Sequence, residues 1–198
     1  MLKDSDRKQC LFKRNMKTSL IIFGILSLVV ITVSWRTLFK IRSHGFYRFI
    51  SWECIIWLFA NNYKYWFEDP FKLNQIFAWI LLIVSAFLVI TGVLLMKKLG
   101  KANKRRNEDT LYQFEQTTEL IDVGIFKFIR HPLYSSLMFL TWGIYLKSPS
   151  FHLFIISLLS TLFLYITAIF DEKECIQYFG NKYIDYMKRS KRFIPFLI

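Results

Sequence analysis

The sequence predicts an all-α, polytopic membrane helix bundle of about five transmembrane helices, formed as one domain over residues 1–198. Three observations carry that prediction. Hydrophobic residues make up 54% of the chain and aromatic residues 19%, too apolar for an ordinary soluble domain. The run QIFAWILLIVSAFLVITGVLLM at 75–96 holds no charge; as a helix it extends about 33 Å, close to the hydrocarbon thickness of a bilayer. The basic residues behind a net charge of +13 cluster beside the apolar runs, the pattern of cytoplasmic loops lying on anionic lipid.

The first span is TSLIIFGILSLVVITVSW, 18–35, preceded by Lys3, Arg7, Lys8, Lys13, Arg14 and Lys17. It is longer than a signal-peptide core and no A-x-A cleavage site follows, so it reads as a retained span. FISWECIIWLFANNY, 49–63, is the second and carries Glu53; 75–96 is the third. The fourth, PLYSSLMFLTWGIYL at 132–146, covers only about 22 Å and needs neighbours or tilt. SPSFHLFIISLLSTLFLYITAIF, 148–170, is the fifth. Beyond it Ile176, Phe179, Tyr183 and Met187 recur at spacings of three and four, which predicts one apolar face of a C-terminal amphipathic helix.

Charge placement sets an orientation. The insert 97–123 (Lys97, Lys98, Lys101, Lys104, Arg105, Arg106) and the tail (Lys188, Arg189, Lys191, Arg192) are both basic and separated by two spans, so both are expected in the cytoplasm. Five spans then put the basic N-terminus outside, unless 49–63 only dips into the membrane. The same placement excludes nucleic acid as a partner. Cys10, Cys54 and Cys175 form no CxxC and have no histidine at ligand spacing, so neither a disulfide framework nor a metal site is expected.

The residues suited to chemistry lie in 97–198, after the N-terminal spans of 18–96. GIFKFIRHPLY, 124–134, opens the fourth span; Pro132 suits a first helical turn, leaving Arg130 and His131 at its entrance. Asp171 and Glu172 stand together where the fifth span is expected to end, and ionisable groups at a membrane edge are functional candidates. The two spans form a hairpin that returns both clusters to one face. Simpler readings are that Arg130 snorkels and His131 caps the helix, and that the acidic pair meets Lys173, Lys182 or the 97–106 cluster.

The order and spacing of GIFKFIRHPLY (124–134), DE (171–172), FGNKYIDY (179–186) and RFIP (192–195) resemble the membrane methyltransferases that include isoprenylcysteine carboxyl methyltransferase and the phospholipid methyltransferases. The resemblance runs from Thr117 to the end of the chain. It implies S-adenosyl-L-methionine as cofactor, bound on the cytoplasmic side of a multi-pass protein of a bacterial inner membrane, in a pocket completed by the cytoplasmic loop and the C-terminal helix. Carried over by position, the cofactor contacts are Thr118, Glu119, Leu120, Ile121, Phe126, His131, Pro132, Leu133, Tyr134, Asp171 and Glu172, with Arg130 and Glu172 as catalytic residues. The implied acceptor is a lipophilic small molecule, a lipid or a lipidated substrate. Two departures are Asp171, where the family usually has glutamate, and Thr167, where the prenylcysteine enzymes carry an arginine for the substrate carboxylate. Two other readings remain: an NADPH-dependent sterol-type reductase, whose RHPNY motif differs at Leu133, and a non-catalytic scaffold in which Arg130 merely pairs with the acids.

Overall fold

Every predicted apolar run lies on a helix of the computed structural model, which describes residues 4–41, 43–101 and 115–195, with 4–14 traced by backbone alone. Lys3 and the Lys104, Arg105 and Arg106 part of the basic cluster lie outside the described residues. The helices are α1 (Asp4–Leu38), α2 (His44–Asn62), α3 (Leu73–Leu99), α4 (Pro132–Tyr145), α5 (Phe151–Phe179) and α6 (Asn181–Arg189). Three of them are long and apolar enough to cross a membrane: α1 over Asn15–Leu38, α3 and α5.

Two boundaries differ from expectation, each for its own reason. Hydropathy falls after residue 170, but backbone hydrogen bonding does not depend on it, and α5 continues to Phe179. Asp171 and Glu172 therefore sit inside a helix. The expected single face from Ile176 to Met187 is broken at Gly180, whose φ of +61° is a conformation that glycine adopts without strain. In α6 the buried side chains are Tyr183 and Tyr186.

The helices pack in a chain of pairs, α1 on α2, α2 on α5 and α3 on α4, with α4 also bridging to α5 and α2. Lipid supplies little hydrophobic drive between spans, so close contact depends on small residues and on hydroxyls that bond across helices. Ser160 of α5 lies 2.9 Å from the Ser51 hydroxyl of α2 and 3.2 Å from that of Thr141 on α4. Gly143 lets α4 approach α3: a Cβ there would sit 2.9 Å from Leu82 Cδ2. Around these contacts Ile55, Leu58, Ile144 and Leu153 form a buried cluster.

α4, with 14 residues, reaches only about 21 Å against a hydrocarbon core of about 30 Å. Its last carbonyls thus fall where bilayer water is scarce and need protein donors. Asn62 Nδ2 donates to Ile144 O at 2.8 Å, Asn74 Nδ2 to Leu146 O at 3.0 Å and Gln75 Nε2 to Lys147 O at 2.9 Å. The Lys147 ammonium bonds Gln75 Oε1 at 3.0 Å and lies 3.7 Å from the centre of the Trp79 ring. This polar knot fixes the end of α4 away from the acidic pair.

Replacing Gly143 by valine forces α3 and α4 apart and should destabilise the fold by about 1–3 kcal/mol. Thermal unfolding in detergent should show a lowered midpoint, whereas Phe151→Ala, at a side chain 82% exposed, should leave it unchanged.

Candidate active site

The entrance to α4 and the end of the chain are held together by backbone. Lys191 N–H donates to Phe128 O at 2.9 Å, Arg130 N–H to Lys191 O at 2.7 Å and His131 N–H to Arg192 O at 3.2 Å. Pro132 occupies the first turn of α4 as its sequence position suggests, and His131 is the N-cap residue without a capping side-chain bond. The Ser135 hydroxyl closes the junction, its one proton shared between His131 O and Phe193 O, each 2.9 Å from Oγ.

Behind this junction lies Glu172, 4% exposed. Arg130 Nε and Nη2 each approach its Oε1 at 3.0 Å. Arg192 grips it with both arms, Nε to Oε1 at 3.0 Å and Nη2 to Oε2 at 2.7 Å. His131 Nε2 is 3.4 Å from Oε1, a charge contact without hydrogen-bond alignment. Arg130 Nη1 also donates to Met187 O at 3.2 Å and to Ser190 O, so this side chain joins α5 to the end of α6 and does not snorkel. Among the described residues the acidic pair thus meets Arg130, His131 and Arg192 rather than Lys173 or Lys182, and Lys104, Arg105 and Arg106 of the 97–106 cluster lie outside them.

Asp171 faces the other way. Its Oδ2 lies 3.3 Å from His131 Nδ1, Tyr134 lines a cleft with it, and the Cys175 thiol is 3.7 Å from Oδ1. The His131 ring stacks on Tyr134 with centroids 5.3 Å apart. Burial opposes a charge on His131, but the carboxylates of Asp171 and Glu172 outweigh it and hold the imidazole above its ordinary range. Burial also pushes the Tyr183 and Tyr186 hydroxyls up, and the Tyr186 hydroxyl donates to Phe126 O at 2.6 Å.

Asp171 opens onto that cleft at the entrance to α4. Of the residues singled out in the sequence, Glu119, Leu120, Ile121, Phe126, Arg130, His131, Pro132, Leu133, Tyr134 and Asp171 line it. Thr118 and Glu172 do not. Thr118 ties its segment to the end of α3, through its hydroxyl to Lys101 O at 2.8 Å and its N–H to Gly100 O at 2.9 Å. The sequence reading missed Glu115, Cys175 and Tyr186 as lining residues, and Arg192 as the clamp on Glu172. RFIP was visible as a motif, but nothing in its spacing signals an inward-turned arginine.

Ligand-type atoms of His44, Asp171 and Glu174 also lie within 4.8 Å of one another. Glu174 directs both oxygens at His44, to its Nδ1 at 2.6 Å and its backbone N–H at 3.3 Å, which anchors the start of α2.

A family model described as phospholipid methyltransferase matches residues 73–182, more than half of the chain. It includes α3, which the motif comparison left outside, and stops short of Arg192. No curated protein and no solved structure matches.

Glu172→Gln leaves two guanidinium groups without their anion and should cost about 3–5 kcal/mol, the usual penalty for breaking a buried ion pair from one side; chemical or thermal unfolding in detergent measures it. His131 adds a pH dependence. Because its pKa is raised in the folded state, its stabilisation is complete below the unfolded value of about 6.5 and is lost as pH rises through the folded value. The unfolding midpoint should therefore fall as pH rises from about 6.5 through the folded value, and the fall should be smaller in His131→Gln.

Proposed function

The chain belongs to the phospholipid methyltransferase family of membrane methyltransferases, and on that premise we propose that it transfers a methyl group from S-adenosyl-L-methionine to a lipophilic acceptor taken from the bilayer, at a cleft on the cytoplasmic side. Asp171 carries the reading. Its carboxylate lines the cleft while its partner Glu172 is consumed by arginines, and each carboxylate oxygen can accept more than one hydrogen bond. Glu115 and Glu119 line the same cleft. Such a surface suits a donor that carries a sulfonium and an ammonium, with Phe126 and Tyr134 as apolar walls for its adenine. The phosphates of NADPH would meet carboxylates instead, with Arg130 already committed to Glu172 and His131 to Asp171.

When bound, the cofactor supplies an electrophilic methyl on sulfur. The chain's task is then positioning, which can contribute about 7–11 kcal/mol when reactants are held near attack distance. In this reading Asp171, Tyr134 and the 119–121 segment hold the donor. Arg130 and Glu172 act by fixing His131 and Asp171, and Thr118 by fixing its segment. Thr167, fully buried with its hydroxyl on Phe163 O, supplies no cation for an acceptor carboxylate, and Arg130 is already engaged. A phospholipid-type acceptor, with its nucleophile on an amine headgroup, suits the carboxylate-lined cleft better than a prenylcysteine. A scaffold needs only the Arg130–Glu172 pair, and gives no reason for Asp171 to face the cleft.

With labelled S-adenosyl-L-methionine and native membranes, label should enter the phospholipid fraction. Asp171→Asn should transfer less than about a tenth as much, the loss that goes with one charge-assisted bond, while still folding and inserting at the assay temperature. Binding of NADPH but not S-adenosyl-L-methionine by the purified protein would overturn the assignment.

A further inference from the structure

The cleft has two walls of separate origin. One is the end of α5 with Asp171; the other is the segment 115–121, the last part of the polar insert, which hangs from α3 through Gly100 and Lys101. Neither wall is built from α2, yet the first turns of α2 hold both. His44 binds Glu174 on α5 through its ring and backbone. Arg48, one turn on and so on the same face, bonds Glu115 through Nη1 at 3.1 Å and 3.0 Å to its two oxygens. That pair is enclosed, with side chains only 5% and 10% exposed, and the Arg48 guanidinium lies 5.7 Å over the Trp52 ring. A charge pair shielded from water resists salt and holds its geometry better than one on the surface.

We propose that Arg48 is a positioning residue for cofactor binding: through Glu115 it sets the 115–121 wall at a fixed separation from α5, so that α2, outside the family-matched region 73–182, determines how the cleft fits its donor. His44 supplies the opposite anchor on the same helix. The ligand in this inference rests on the function proposed above, but the positioning does not. Glu115 lines the cleft, and Arg48 aims its carboxylate. Without Arg48 the wall loses its tie to α2 and can swing about its attachment to the end of α3.

Hydrogen exchange on the cofactor-free protein tests the positioning directly. Arg48→Ala should speed exchange of the 115–121 amides by about tenfold or more while those of α3 and α4 keep their rates, and should raise the Kd for S-adenosyl-L-methionine by a similar factor, as expected for losing one partner of an enclosed charge pair. Arg48→Lys should fall between wild type and alanine. The swap Arg48→Glu with Glu115→Arg should return both quantities to within about threefold of wild type, because the coupling belongs to the pair. Unchanged exchange in Arg48→Ala, or a swap as impaired as the single variants, would overturn the proposal. If Arg48→Ala loosens the whole bundle, Glu115→Gln decides, since it must loosen 115–121 alone; uniform loosening there also counts against the proposal. A wild-type protein that binds no S-adenosyl-L-methionine, with the exchange pattern as expected, would fault the functional reading and leave the clasp standing.

Discussion

The buried carboxylate of Glu172 is the contact on which the rest of the site depends. A lone carboxylate at this depth would be costly to desolvate, and the fold answers with two arginines from distant points, Arg130 ahead of α4 and Arg192 beyond α6. Each arginine brings its backbone along. The strands of chain around residues 128–131 and 190–193 pair through Lys191, Arg130 and His131, which places the histidine between the two acids and turns Asp171 outward. The open side of the site therefore takes its geometry from the closed side.

The far end of α4 faces the same constraint with neutral groups. Asn62, Asn74 and Gln75 satisfy carbonyls that a longer helix would have carried to the headgroups, and the Lys147 ammonium holds the Gln75 amide in place. A short helix is useful here because it begins at the cleft and stops inside protein. Polar groups cap it at both ends, charged on the cleft side and amide-rich on the other, and α3 and α5 flank it as the longer walls.

Hydrophobicity made the five helices legible, since a run such as 75–96 has few alternatives in a lipid solvent. The hairpin argument also succeeded in bringing Arg130 and His131 to Asp171 and Glu172, because two successive spans must return to one face. The division of labour within the acidic pair was hidden. Neighbouring residues on a helix point about 100° apart, so one faces the arginines and the other the cleft, but which does which depends on how α5 is rotated against α4. Arg192 looked like one more basic residue of a tail. Its inward turn follows from Gly180 and from the path of α6, neither of which leaves a periodic trace. Glu115 and Arg48 lie on segments that no motif joins, and only their packing brings them together.

Arg192 follows Glu172 by 20 residues, and between them come the end of α5, the Gly180 corner and all of α6. During synthesis α5 is therefore delivered to the membrane before its clamp exists, with Arg130 as the one guanidinium partner already made. The acidic pair must wait at the water interface, where a charge is cheaply solvated, until the strap folds back and draws it under cover. A bundle whose spans are all inserted can thus still lack a finished cleft.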